Sequence, residues 1–355
     1  MKKLLLGFLA FGLLLSCDNE IDVNAEYKDI TVVYGLLDPE ADVNYIRVQR
    51  GYLGNEAASA SYGISDSLYY DSTEIDVFLR SYLPSSEAPL NEVELIWDNS
   101  IVLDSGTYTG EGHHLYRVPS SYSIDRDKEY EVVVRRMDGS EAKARTGIVG
   151  EINILEPNQS ITNRFFRGLL RFRIDQDIEE GDYEATEKMI AYQPILYLNY
   201  KELDRTTLEE TFHKVTMRLP LQETPFDQFD ITYDQSQFFG ALSGSIEPDP
   251  TKNKLRFAQK MELRIIGVTE NMMTYIELNS PATGVNQNRP QFEQVSNGAG
   301  ILSSRTIVDM PNIEIVETLD DRMLSNGLIC DLNFTKIRLN GSDTCYCIDN
   351  KEVCF

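Results

Sequence analysis

Apolar residues recur at every second position in short runs along this 355-residue chain, the pattern of strands with one buried face. The first ordered run begins near residues 27–33, where Ile30, Val32, Tyr34 and Leu36 alternate with other residues. Runs at 44–50, 73–79, 92–97 and 115–118 follow, each four to eight residues long with β-branched or aromatic content. Pro, Gly, Asn or Asp separates them, and short strands at this spacing predict an all-β sandwich. The clearest local signal is the pair of runs at 130–136 and 141–146 around Asp138-Gly139. That dipeptide predicts a two-residue hairpin, because glycine adopts the positive φ such a turn demands. The stretch 124–130 before it has the form of the approach to the penultimate strand of an immunoglobulin-like sandwich, with Tyr130 as its corner tyrosine.

The first domain is expected over 27–150, and a second over 151–355. Runs at 169–174, 194–200, 212–219 and 255–268 again predict strands. Thr269-Glu270-Asn271 then predicts a helix start, with Met272, Tyr275 and Ile276 on one side and Pro281 as the stop. Asn297-Gly298-Ala299-Gly300 predicts a turn before Ile301-Leu302, and 328–339 a final strand containing Cys330. The expected class is therefore mostly β: an N-terminal immunoglobulin-like β-sandwich plus a second β-rich domain with a short helix.

The amino terminus breaks the pattern. Lys2 and Lys3 precede an apolar run over 4–15, short of the ~20 residues that span a bilayer, as in a secretory signal. Leu14-Leu15-Ser16-Cys17 resembles a bacterial lipobox, which has a small residue before the cut and a thiol after it. The expectation is a signal peptide over 1–16, lipidation at Cys17 and a polar tether over 17–26. More than one acyl chain holds stably on a membrane, where a single chain is marginal.

Charge narrows the partners. The chain has 33 basic and 57 acidic residues, net −24, and losing Lys2 and Lys3 with the leader takes this to −26. Nucleic acid, bound through Lys and Arg clusters, is excluded as a partner. Four cysteines remain after lipidation, Cys330, Cys345, Cys347 and Cys354. An even cluster in an exported chain reads as two disulfides closing a C-terminal lobe. Cys345 with Cys347 is the least favoured pairing, since a one-residue spacer strains the geometry. The rival, a four-thiolate zinc site, prefers Cys-x₂₋₄-Cys spacing, and this chain has Cys-x-Cys with no histidine near.

Catalytic motifs are missing from the sequence: no nucleophile elbow, phosphate loop, His-Glu-x-x-His or dinucleotide fingerprint occurs. His113 and His114 are adjacent, so in a strand they face opposite sides and suit one metal ion poorly. His213 stands in a strand run with no ligand spacing around it. The acidic run 175–182 departs from a calcium loop, with Gly181 at position seven and Thr186 at twelve. No metal, no cofactor and no enzymatic activity are expected. The tyrosines from Tyr62 to Tyr70 fit either an exposed contact loop or core aromatics. Within that stretch and directly after it, Asp66-Ser67-Leu68 and Asp71-Ser72-Thr73 resemble the acceptor for O-glycosylation of exported Bacteroidota proteins, at Ser67 and Ser72, with Thr73 only partly apolar.

Taken together, Cys17-Asp18-Asn19-Glu20, the strand Val33-Tyr34-Gly35-Leu36-Leu37, the 130–146 hairpin and Asn297-Gly298-Ala299-Gly300-Ile301 resemble uncharacterised outer-membrane lipoproteins of Bacteroidota, classed as domains of unknown function. The resemblance implies a β-rich protein on the outer membrane, at its periplasmic face or the cell surface, beside a TonB-dependent receptor. It carries over no catalytic residue, and the ending from Cys330 onward lies outside it. The expected function is a non-enzymatic, lipid-anchored protein that binds a ligand or assists an outer-membrane receptor. The alternatives are a surface hydrolase of glycans or peptides and a structural or adhesive lipoprotein.

Overall fold

The structure, a computed structural model, describes residues 30–51, 68–101, 114–156, 169–177, 179–180, 183–224, 226–279, 293–314, 332–337, 344–348 and 351–354. It is mostly β. The first sandwich contains β1 (Thr31–Leu37), β2 (Tyr45–Arg50), β3 (Ile75–Tyr82), β4 (Asn91–Glu94), β5 (Ile96–Asp98), β6 (Leu115–Arg117), β7 (Glu129–Arg136) and β8 (Glu141–Thr146). Strands β1-β2-β6-β5 lie in one sheet and β4-β3-β7-β8 in another. Val33, Ile46, Val77, Leu79, Tyr116 and Val132 fill the core between them.

Tyr130 is fully buried at the start of β7, and its hydroxyl accepts the Asp125 backbone N–H at 2.7 Å. This is the corner expected of it: the ring fills the core while the polar tip satisfies a backbone donor of the preceding bend. Burial raises the pKa of its hydroxyl. The β7–β8 hairpin also forms, but with a wider turn than the two-residue one expected. Gly139 N–H donates to Arg136 O and Arg136 N–H to Ser140 O, both at 2.9 Å. Gly139, at φ +82°, adds a left-handed residue after the turn. The Asp138 carboxylate holds this shape by accepting the Ser140 N–H and hydroxyl at 2.8 and 2.6 Å.

The second region contains β9 (Glu151–Glu156), β10 (Leu169–Asp177), β11 (Glu179–Glu180), β12 (Tyr183–Glu184), β13 (Met189–Asp204), β14 (Glu210–Arg218), β15 (Gln222–Glu223) and β16 (Gln228–Asp234). Helix α1 (Gln235–Ser245), β17 (Lys254–Thr269), helix α2 (Glu270–Asn279) and β18 (Gly298–Glu314) follow, then β19 (Lys336–Ile337), β20 (Thr344–Ile348) and β21 (Lys351–Cys354). Asp234 caps α1 by accepting the Ser236 N–H at 2.7 Å, satisfying a donor that the helix leaves free. Phe238, Phe239 and Leu242 of α1 and Phe172 and Ile174 of β10 share a core with Leu196 of β13 and Leu263 of β17. The short helix expected after residue 269 is α2.

One strand joins the two regions. Gly298–Ser304 of β18 pairs in parallel with Thr31–Leu37, and Arg305–Glu314 continues antiparallel along β17. A single sheet thus runs β14-β13-β17-β18-β1-β2-β6-β5, with β15 beside β13. The turn expected at 297–300 is therefore limited to Asn297, at φ 52°, and the glycines lie in the strand. They are small because β1 is close: a Cβ at Gly298 would stand 2.5 Å from the Thr31 carbonyl oxygen. The opposite face of this join is covered by α2, whose Tyr275 meets Tyr34 edge-on at 6.3 Å.

Candidate functional site

A concavity of about 370 Å³ opens on the outer face of the long sheet, where β14, β13, β17 and β18 lie side by side. Two irregularities in the strand pairing shape it. Asn199 pairs with Lys260 but Tyr200 with Ala258, so Gln259 is an extra residue bulged from β17. On the other edge of β17, Met261 pairs with Ile313 and Leu263 with Met310, which leaves Pro311 and Asn312 opposite Glu262 alone. Bulges of this kind re-aim side chains and are enriched next to binding and active sites. Pro311 donates no hydrogen bond to the ladder, which suits a bulge. Asn312 sits at φ 61°, a left-handed conformation that asparagine tolerates better than most residues.

The first bulge resets the alternation of β17. Arg256 and Ala258 face the core before it, Met261 and Leu263 after it, and Lys260 and Glu262 are turned to the outer face. There Glu262 accepts from Asn199 Nδ2 at 2.9 Å and from Lys214 Nζ at 2.6 Å. Those two contacts, Lys214 first, hold its carboxyl below the usual carboxylate range. The Lys214 ammonium also stands 4.4 Å from the centre of the Tyr197 ring, a favourable cation–π placement. Lys260 Nζ donates to Asn312 Oδ1 at 3.2 Å. Gln259 is exposed at the rim. Phe212, two residues before Lys214 on β14 and opposite Lys201 of β13, is 70 % exposed.

His213 lines the same opening. Its ring stacks on Tyr200 at 5.0 Å and 17°, and its Nε2 lies 2.8 Å from Thr211 Oγ1. It is a strand residue, as expected, and among the described residues no group of three His, Cys, Asp or Glu could hold a metal ion. His114 precedes β6, where it packs on Tyr69 at 4.9 Å and edge-on to Trp97 at 5.4 Å. Tyr69 and Tyr70 are buried, so these two are core aromatics rather than an exposed contact loop. Arg47 donates to the Tyr69 hydroxyl at 3.0 Å, and Thr31 Oγ1 lies 3.1 Å from the Tyr70 hydroxyl.

Ser72 is exposed in a tight turn closed by Glu74 N–H on Asp71 O at 2.9 Å. Cys345 and Cys354 stand opposite each other in the β20–β21 ladder, with Cys347 opposite Glu352. Cys17, Ser67, Cys330, His113 and Tyr62 lie outside the described residues. None of the residues singled out for chemistry in the sequence lies in the concavity except His213. The one signal there was Pro311-Asn312 inside an otherwise strand-like run, since proline within a run marks an edge or a bulge.

No family model matches this chain, and no curated protein matches it. Among solved structures, a chain described as "Cytokine receptor complex - Crystal form 1A" is similar at 10% identity, covering 81% of this chain and 99% of that one with a TM-score of 0.18. A structural similarity that low carries no argument about fold or function.

Proposed function

We propose that this protein is a non-enzymatic, lipid-anchored outer-membrane protein that holds a ligand in the outer-face concavity and works beside an outer-membrane receptor. The observation that carries the reading is the concavity itself, set between two bulges on β17 and β18 and walled by the exposed ring of Phe212. A solvent-exposed aromatic ring beside re-aimed polar groups gains contact area only when something occupies the space. Lipidation at Cys17 supplies the anchor.

The hydrolase alternative fits this site poorly. Glycoside hydrolysis uses two carboxyl groups, one kept protonated by a raised pKa. Among the residues lining the concavity Glu262 is the one carboxylate, and its pKa is lowered by Lys214 and Asn199.

Purification of the full chain from detergent-solubilised outer membranes tests the reading. Recovery of a β-barrel receptor or of a bound ligand is expected. Recovery of the chain with neither, or a Cys17→Ser variant that stays in the membrane fraction, would overturn it.

A further inference from the structure

Resting on the reading of the concavity as a ligand site, we propose that its ligand is an uncharged carbohydrate, a pyranose ring stacked on Phe212 and hydrogen-bonded to the amides and lysines around it.

Of Glu262, Lys214 and Lys260, the first two neutralise each other and Lys260 has no opposite charge among the lining residues. Glu262 is held by Lys214 and Asn199, and Lys260 by the Asn312 carbonyl oxygen. A cation would meet no unpaired carboxylate among the lining residues, and an anion, although Lys260 has donors to spare, would approach a chain of net charge −24. A lipid or other apolar ligand needs an enclosed apolar lining, whereas this concavity is open to solvent and all of its lining residues except Phe212 end in polar or charged groups. What remains is a ligand with many uncharged donors and acceptors and one apolar face. Asn199, Gln259 and Asn312 are suited to the first requirement, because an amide both donates and accepts, as a sugar hydroxyl does. Phe212 is suited to the second: its ring offers flat apolar area to the axial C–H groups of a pyranose. The concavity of about 370 Å³ lies at the lower end of the ~300–1,000 Å³ range of small-ligand sites. Its backbone is rigid, since both bulges sit inside long paired strands rather than in loops.

The test is a titration of the full chain in detergent micelles against a panel of neutral and acidic oligosaccharides, read by calorimetry. At least one neutral oligosaccharide is expected to bind. Phe212→Ala and Gln259→Ala should each weaken it by tenfold or more, Phe212→Tyr should retain it, and the thermal midpoint of all three should match the parent. No neutral oligosaccharide bound by a chain that melts normally would overturn the proposal, as would acidic ligands binding alone or affinity unchanged in Phe212→Ala. The two readings fail separately. If Gln259→Ala abolishes recovery of a receptor while no sugar binds, the ligand class falls and the site stands. If sugar binds but Phe212→Ala and Gln259→Ala leave it intact, both fall.

Discussion

Thr31 stands opposite Gly298 in a parallel strand pair, so the first strand of the first sandwich is zipped to a strand that enters from the second region. The same strand then pairs with β17, whose bulges shape the concavity. Folding of the two regions is coupled through β18, and the site rests on a sheet that neither region completes alone.

Gly300 makes that join possible. It lies at φ +104°, and a Cβ there would overlap the Val33 carbonyl oxygen. Gly300→Ala should destabilise the protein by about 3 kcal/mol, from backbone strain and steric overlap together. Chemical denaturation checks this, and a loss below ~0.5 kcal/mol, the range of a neutral surface change, would contradict it.

Tyr130→Phe removes the hydroxyl that accepts the Asp125 N–H while leaving the buried ring. The expected cost is about 2 kcal/mol, the range for stranding a partly buried donor. Equilibrium unfolding of the variant measures it, and an unchanged midpoint would mean that water replaces the hydroxyl.

Arg256 fastens the segment at 332–335 to the second core. Its side chain is 3 % exposed and donates to Glu202 at 2.9 Å and to Leu332 O at 2.8 Å. Its backbone also bonds Asn333 and Thr335. Arg256→Ala removes two charge-assisted hydrogen bonds and leaves Glu202 with Lys254 alone, at 2.9 Å, a loss of about 2–3 kcal/mol. Hydrogen exchange at 332–335 should rise with it, and protected amides there would contradict the assignment.

Glu187 should govern part of the pH dependence of stability. It is largely buried and accepts from Thr146 Oγ1 and Gly147 N–H at 3.1 Å each. Burial raises its pKa, and the nearby Glu129 and Glu270 raise it further, against those two hydrogen bonds. A folded-state pKa above the unfolded one favours folding when the group is protonated, and that contribution is lost as pH rises through the folded value. Glu187→Gln should therefore raise the thermal midpoint near pH 7.5 by on the order of 2 °C. The difference should shrink toward zero as pH falls to the ordinary glutamate range, ~4. A variant less stable than the parent at pH 7.5 would show the carboxylate to be stabilising there.

Local chemistry made part of this molecule legible in its sequence. Alternation located most of the strands, though not β16 or β18. In place of the final strand expected over 328–339, the described residues form a turn at 332–333 and β19 at Lys336–Ile337, with β20 and β21 beyond. The Tyr130 corner and the start of α2 at Thr269-Glu270-Asn271 were legible because each depends on neighbours a few residues away. The concavity depends on which residue of β17 faces which residue of β13 and β18, and no local pattern encodes that pairing. Gly298 and Gly300 read as a turn for a related reason. Glycine serves tight bends and close backbone approach alike, and only the position of Thr31 and Val33 decides between them.

The most direct measurement is photo-crosslinking in intact cells, with a benzophenone amino acid in place of Gln259 and, separately, of Met137 on the β7–β8 hairpin. Both positions are exposed, but only Gln259 lines the concavity. A discrete adduct from Gln259, absent from Met137 and lost when Phe212→Ala is added, is the predicted result. Adducts of equal yield at both positions, or none at Gln259, would contradict the concavity as the place where this protein meets its ligand.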